Sequence, residues 1–319
     1  MSSPAESVPI PTATAPTSST SLPAPLLMAI SAVFFALMAI AMRLASERGL
    51  HTFEIAFFRA LFGLVFALPL LYKPGLALLR TQHGKLYIMR GATGAISLLG
   101  GTWALAHLPL ATAVALSYSA PLFVTIGAVL LLGEIVRARR WSAVAIGFVG
   151  VLVIMRPGGT EFSPAMLIGL GGALAAASSY ISIKFLSRSE PADAIVIWMS
   201  FAMAVITLPL ALWVWTWPDA TGWLWCVLIG LLGTAGQITM TRAYHRGDAS
   251  ALAPLNYLQL PVVSLLAYFI FGQTVDIGTI GGAAIIIASN IYIARREAML
   301  AKRMGTDPAL AASESGQSA

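Results

Sequence analysis

The feature that most limits the possible folds is a nearly continuous apolar stretch from Pro25 to Arg296, interrupted only by short charged or Pro- and Gly-containing segments. The whole chain is 58% apolar and only 10% charged, whereas soluble domains are typically about 25% charged. A membrane-spanning helix needs about 20 residues, so this stretch of roughly 270 residues has room for about ten spans. The sequence therefore predicts an all-α polytopic protein embedded in a lipid bilayer.

Charged and Pro- or Gly-containing breaks divide the stretch into ten predicted spans. They cover roughly residues 25–45, 53–72, 86–106, 110–132, 140–156, 164–186, 194–215, 222–244, 250–271 and 276–294. The single cysteine, Cys226, excludes an internal disulfide and a cysteine-based metal cluster, and no cofactor is predicted. The net charge of +6 is spread over short loops and does not form one basic stripe, so nucleic-acid binding is not indicated.

Counting Lys and Arg in alternate loops predicts the orientation, because cytoplasmic loops retain positive charge during insertion. Fifteen of the 19 basic residues fall on one side: Lys73, Arg80, Lys85, Arg90, Arg137, Arg139, Arg140, Lys184, Arg188, Arg242, Arg246, Arg295, Arg296, Lys302 and Arg303. The other four are Arg43, Arg48, Arg59 and Arg156. Both termini are therefore predicted to be cytoplasmic, with a disordered N-terminal tail over residues 1–24 and a C-terminal tail over residues 297–319.

The two halves of the chain resemble each other. A shift of about 139 residues brings Gly94 onto Gly233 and Tyr118 onto Tyr257, and a shift of about 140 superposes residues 68–70 on residues 208–210, both Leu-Pro-Leu. Each half holds five predicted spans, an odd number, so the second half must enter the membrane from the opposite side. Residues 25–157 and 164–295 are therefore predicted to form inverted repeats, an arrangement typical of alternating-access transporters, although a duplicated channel could share it.

Three segments carry a resemblance to a known family: residues 53–60 (FEIAFFRA), the stretch from Ala111 through Ser119-Ala120-Pro121 to Gly133-Glu134, and residues 257–261 (YLQLP) leading to Phe271-Gly272-Gln273. They resemble the EamA family of the drug/metabolite transporter superfamily, over essentially residues 25–295 as two tandem repeats. The resemblance implies a bacterial inner-membrane bundle of ten helices, with a central cavity lined mainly by helices other than five and ten. One departure is Gln273, where the family often has Glu, so no role is inferred for Glu134 at the matching position.

Polar and aromatic residues deep in the predicted spans mark a candidate substrate site. Pro121 and Pro261 each follow such residues and predict kinks in spans four and nine, because proline removes a backbone donor. The predicted substrate-binding residues are Arg59, Trp103, Ser117, Tyr118, Ser178, Tyr180, Gln237, Asn256, Tyr257 and Gln259. This lining suits a neutral, zwitterionic or heterocyclic solute. The alternative is that these groups tie neighbouring spans together.

Arg59 has two interpretations. It lies about seven residues into span two, where an arginine is costly unless it extends to the interface or finds a partner. It either anchors a carboxylate, phosphate or carbonyl group of the substrate, or it extends to the outer interface beside Glu54.

These features favour a secondary transporter of a small organic metabolite. No carboxylate falls at mid-depth in a predicted span, which argues against a cation exporter driven through a central acid. The segment around residues 53–61 is similar to a subgroup associated with uptake of riboflavin or S-adenosylmethionine, whereas other relatives export amino acids or related compounds. An intramembrane enzyme is the competing class, but it would need a nucleophile–base pair, an acid dyad or a metal cluster at depth. The substrate, the coupling ion and the choice between monomer and homodimer stay open.

Overall fold

The computed structural model describes residues 22–72, 75–132, 138–160, 162–186, 189–246 and 249–306. Every regular element in these residues is a helix. The α-helices are α1 (Ala24–Glu47), α2 (Thr52–Ala67), α3 (Gly84–His107), α4 (Leu110–Ser117), α5 (Ala120–Leu132), α6 (Ala138–Met155), α7 (Pro164–Leu186), α8 (Ala192–Trp213), α9 (Ala220–Arg246), α10 (Ala249–Asn256), α11 (Gln259–Phe271) and α12 (Ile277–Thr306). Most of both predicted tails, residues 1–21 and 307–319, lies outside the described residues.

Eight helical segments of the described chain are long and apolar enough to cross a membrane, as expected for an all-helical, multi-pass membrane protein. The expectation of ten is therefore met only in part. The two predicted spans outside this set, residues 86–106 and 140–156, form α3 and α6. α3 has 24 residues, but its Gly, Ser and Thr residues and Arg90 lower its hydropathy. The apolar part of α6, Arg140–Met155, is shorter than the other spans.

Two predicted spans are broken in the middle. Span four divides at Tyr118 and Ser119 into α4 and α5, and span nine divides at Tyr257 and Leu258 into α10 and α11. At each break the backbone N–H groups bond three residues back, as from Tyr118 to Ala115 (3.2 Å) and from Leu258 to Leu255 (3.2 Å). Prolines 121 and 261 lie in the first turn of the helix that follows, where the missing N–H removes no helical bond. The predicted kinks are thus full interruptions of the helix.

The helices pack in pairs that match across the two halves. α3 packs on α7 as α9 packs on α1, and α5 packs on α7 as α11 packs on α1. α2 packs on α8, and α6 packs on α12. Glycines bring two of these pairs into close contact: a Cβ at Gly100 would lie 2.9 Å from the Cα of Gly172, and one at Gly150 would lie 2.7 Å from the carbonyl oxygen of Gly282. Small residues of this kind let membrane helices approach at backbone distance.

The bundle has two ends, which we name after a glutamate at each. The Glu54 end comprises residues 48–51, 108–109, 156–160, 214–219 and 272–276, which are joined by bonds such as Thr216 to Glu54 and Leu110 to Gln273. The Glu190 end comprises residues 75–83 and 189–191, joined by the bond from Thr81 to Glu190. A cavity inside the bundle can open towards the Glu54 end or towards the Glu190 end.

Candidate functional site

A cavity of about 550 Å³ lies at the centre of the bundle, where the two helix breaks meet. Its described lining comes from α1, α2, α3, α4, α5, α7, α9, α10 and α11 and includes no residue of α6 or α12. Those two helices correspond to spans five and ten, as the family resemblance implies. Eight of the ten predicted site residues line this cavity: Arg59, Ser117, Tyr118, Tyr180, Gln237, Asn256, Tyr257 and Gln259.

The helix breaks determine how the cavity wall is built. Tyr118 and Tyr257, which match under the repeat, pack edge to face with ring centroids 4.9 Å apart and an interplanar angle of 83°. The break after α4 frees the carbonyl of Tyr118, and Asn290 of α12 donates to it through Nδ2 at 2.8 Å. Asn290, which the sequence analysis missed, is buried and lies far along the chain from both prolines. The two halves therefore meet directly at this aromatic pair.

Two predicted site residues lie away from the cavity. Trp103 stacks on His107, with ring centroids 4.2 Å apart and an interplanar angle of 13°. Ser178 donates to the carbonyl oxygen of Leu174 in its own helix at 3.3 Å. Successive residues of a helix are rotated by about 100°, so residues one or two positions from a lining residue face elsewhere. Gly101 and Ala104 line the cavity beside Trp103, and Tyr180 lines it beside Ser178.

Arg59 lies between the central cavity and a second cavity of about 320 Å³, and its side chain lines both. Its Nε donates to the Sδ of Met38 at 3.4 Å. The carboxylate of Glu54 bonds elsewhere: it accepts from the backbone N–H groups of His51 (2.9 Å) and Thr216 (2.7 Å). The alternative in which Glu54 steadies an outward-extended Arg59 is therefore contradicted, because Arg59 faces the interior.

The position of Arg90 differs from the one assumed when basic residues were counted by loop. The count placed it among loop residues, but it is the seventh residue of α3 and is only 5% exposed. Its Nη1 donates to the carbonyl oxygen of Ser179 at 2.9 Å, and its Nη2 donates to the Sδ of Met199 at 2.9 Å. Arg90 also lines the second cavity. An arginine close to the predicted start of a span was the available signal, and it was interpreted as a flanking charge.

The second cavity connects the site to the Glu190 end. Arg59 and Gln237 lie on its wall next to the central cavity, whereas Asp193 and Arg242, also on its wall, are exposed. Asp193 is in the first turn of α8, close in sequence to Glu190. The described geometry is therefore a polar, aromatic chamber with a basic passage towards the Glu190 end.

Comparisons with known proteins agree on one kind of protein. A profile of the EamA-like transporter family matches residues 22–156 and 163–295. The chain is 32% identical to the S-adenosylmethionine uptake transporter of Rickettsia bellii, over 76% of this chain and 84% of the relative. It is 31% identical to the riboflavin transporter of Brucella anthropi, over 79% of this chain and 91% of the relative.

Two further similarities bear on direction and fold. The chain is 30% identical to the pseudopaline exporter CntI of Pseudomonas aeruginosa, over 76% of this chain and 86% of the relative. A solved crystal structure with 20% sequence identity superposes with a TM-score of 0.59, covering 85% of this chain and 96% of the other. That structural similarity supports the helical fold.

Proposed function

The chain belongs to the EamA-like transporter family, and from this premise we propose that it is a secondary transporter that moves a small organic metabolite across the bacterial inner membrane by alternating access. The observation that carries the proposal is the cavity of about 550 Å³ between the two halves, lined by Tyr118 and Tyr257 at the helix breaks. A site at the interface of two repeats is where this mechanism needs it. The family assignment favours transport over the enzyme alternative.

The proposed architecture is ten crossings in two five-helix units of opposite topology, residues 25–157 and 164–295. The matched packing supports it, because interchanging the two halves turns the contact between α3 and α7 into the contact between α9 and α1. The breaks after α4 and α10 occupy matching positions as well. Two units related in this way can rock about the cavity and expose it to each side in turn.

In the proposed orientation the Glu190 end and both termini are cytoplasmic. The charge asymmetry supports it even after Arg59 and Arg90 are left out because they line the interior, since fourteen basic residues then fall on one side and three on the other. Loops that hold an excess of Lys and Arg stay in the cytoplasm. The Glu54 end is then periplasmic.

The proposed substrate contacts are the eight predicted residues that line the cavity. Three tyrosines offer ring faces and edges for a planar group, and the amides of Gln237, Asn256 and Gln259 offer hydrogen bonds. Together they favour a heterocyclic solute. The relatives named as an S-adenosylmethionine uptake transporter and as a riboflavin transporter lead us to propose uptake of a solute of this class. Export is the second candidate, because the pseudopaline exporter is similar over a comparable share of the chain.

Counterflow into proteoliposomes tests the function. Purified full-length protein should give saturable counterflow of labelled S-adenosylmethionine, riboflavin or a related heterocycle. Tyr118→Ala and Tyr257→Ala should each lower the rate about tenfold or more while leaving insertion intact, because each removes an aromatic wall of the cavity. Tyr268→Ala is the matched control, since Tyr268 is 55% exposed on α11 away from the cavity. No saturable flux across a broad metabolite panel would contradict the proposal.

A further inference from the structure

Two arginines inside the bundle, Arg59 and Arg90, form no ion pair with a carboxylate of the described residues. Within the described residues the ion pairs join Arg43 to Glu47, His83 to Glu190 and Arg156 to Asp276, and none includes Arg59 or Arg90. An arginine within the membrane is costly unless it is paired or serves a polar pathway. Both side chains line the same cavity of about 320 Å³.

The contacts of Arg90 leave one edge of its guanidinium available. Nη1 is engaged by the carbonyl and hydroxyl oxygens of Ser179, at 2.9 and 3.3 Å. The opposite edge consists of Nε and Nη2: Nε is buried without a hydrogen-bond partner among the described residues, and Nη2 meets the sulfur of Met199. A thioether is a weak acceptor. The Nε–Nη2 edge is one that binds carboxylate or phosphate side-on with two parallel bonds.

Arg59, like Arg90, donates a hydrogen bond to a methionine sulfur. Its Nε meets the sulfur of Met38, another weak acceptor, at 3.4 Å. Its guanidinium lies against Gly233, where an added Cβ would come within 3.7 Å of Nε and 3.9 Å of Nη2. These are ordinary van der Waals distances, so the guanidinium packs directly on α9 at the boundary of the two cavities.

The internal repeat does not preserve the charge of Arg59 in the second half. The shift of about 140 residues that superposes residues 68–70 on residues 208–210 places Met199 opposite Arg59. Met199 is the residue whose sulfur contacts Arg90. Both interior cations thus come from the first half, and the second half supplies no matching charge on the described wall except Asp193 and Arg242 near the Glu190 end. Helix packing by itself does not require such an asymmetry.

We propose that the Nε–Nη2 edge of Arg90, together with Arg59, binds an oxyanion of the transported solute, a carboxylate or a phosphate, while the solute's ring occupies the tyrosine-lined cavity. This rests on the proposed function and narrows its substrate class to heterocycles that carry an anionic group. The attachment of Arg90 to Ser179 is a structural contact that coexists with this role, since it uses only Nη1.

Thermal unfolding of the purified full-length protein tests the anion site without knowledge of the substrate. The probes are inorganic phosphate and acetate, each compared with chloride at equal ionic strength in a non-ionic maltoside detergent. At least one should raise the unfolding midpoint by about 2 °C or more, because a ligand that binds only the folded state stabilises it. Arg90→Gln and Arg59→Gln should abolish that rise. Arg48→Gln, which removes an exposed arginine at the Glu54 end, should retain it.

Stabilisation of the wild type by neither anion, or equal stabilisation of Arg90→Gln, would overturn the inference. Adding phosphatidylglycerol in place of the free anion tests a lipid headgroup as the source, and a response to the lipid alone would also overturn it. If counterflow of a solute succeeds while both anions fail, the proposed function stands and only this inference fails.

Two matched solute pairs extend the test to the substrate class. Flavin mononucleotide differs from riboflavin by a phosphate, and S-adenosylmethionine differs from its decarboxylated form by a carboxylate. In at least one pair the anionic member should bind about tenfold more tightly, as expected for a charge-assisted bond. Arg90→Gln should bring that ratio close to one, and Arg90→Lys should restore part of it. A variant that weakens both members of a pair equally would make Arg90 a purely structural residue.

Discussion

At the Glu54 end, side chains join the first half of the chain to the second at four separate places. Glu54 accepts from Thr216, Gln273 accepts from the N–H of Leu110, Thr112 meets Thr279, and Arg156 pairs with Asp276. In the described part of the Glu190 end, bonds between the halves join Thr81 and His83 to Glu190, Trp198 to Leu79, and Arg246 to the carbonyl oxygen of Leu22. The basic passage opens beside this second group.

In the proposed mechanism, this conformation corresponds to a transporter that is closed at the Glu54 end. In α1, Met38 lines the cavity, and Arg43, five residues beyond it, donates to the carbonyls of Leu105, Ala106 and Leu108 at 2.8–3.1 Å. Five residues of helix span about 7.5 Å. The bonds of the Glu54 end therefore lie between the cavity and that face, whereas the second cavity has exposed residues, Asp193 and Arg242, on the side of the Glu190 end. The proposed alternating access would require the four cross-half bonds to break.

The largest expected effect comes from Glu54→Ala. Glu54 is fully buried, and its loss leaves the N–H groups of His51 and Thr216 without their acceptor. We expect a loss of about 2–4 kcal/mol of stability, because each stranded buried donor is costly. Thermal unfolding in detergent measures it. Glu47→Ala is the control, because Glu47 is exposed and pairs with Arg43, and an equal loss in both variants would contradict the role of Glu54.

An intermediate effect is expected for Asp276→Asn, which should loosen the Glu54 end without unfolding it. Burial by itself would raise the pKa of the Asp276 carboxyl, but hydrogen bonds from Thr279 and the charge of Arg156 hold that pKa below its usual value. The pair is partly exposed, with Arg156 at 38% and Asp276 at 41%, so its loss should cost about 1 kcal/mol and favour opening roughly fivefold.

Cysteine labelling measures this opening. Cys226 is the only cysteine of the chain, so Cys226→Ser provides a clean background. Ala111→Cys then places a thiol at a buried position of α4, beside a cavity of the Glu54 end. Asp276→Asn should raise its rate of reaction with a membrane-impermeant maleimide. Asp219→Asn is the matched control, because Asp219 caps Gly222 within the second half. Equal rates in both variants would mean that the ion pair does not hold the gate.

The smallest effect is expected at the other end, for Glu190→Gln. The hydrogen bond from Thr81, with further help from His83, lowers the pKa of Glu190 below its ordinary value. A depressed pKa stabilises the fold above the ordinary carboxyl pKa, and this stability is lost as pH falls through the lowered value. The wild type should therefore exceed the variant by about 1 kcal/mol or less near neutral pH, and by less below about pH 4. A gap in unfolding midpoint that widens with acid would contradict this.

The sequence could predict much of the fold because hydropathy and proline act locally. Apolar windows marked the helices, and Pro121 and Pro261 marked the two breaks. Eight of the ten predicted site residues converge on one cavity. Five of them, Ser117, Tyr118, Asn256, Tyr257 and Gln259, lie at the two matching breaks, which the repeat brings to the same depth. Trp103 and Ser178, which were also predicted as binding residues, do not line this cavity. Depth along a helix is readable from sequence, whereas the face that a residue presents depends on its neighbours.

What the sequence alone determined is a membrane-embedded helical chain of the EamA-like family, because its length, its hydropathy and the similarity of its halves are properties of the residues themselves. Only the tertiary structure decided that Arg90 is an interior cation. Its surroundings are supplied by Ser179 and Met199, 89 and 109 residues away in the chain. Burial and hydrogen bonding depend on which distant segments pack together, and a local pattern of charge does not contain that information.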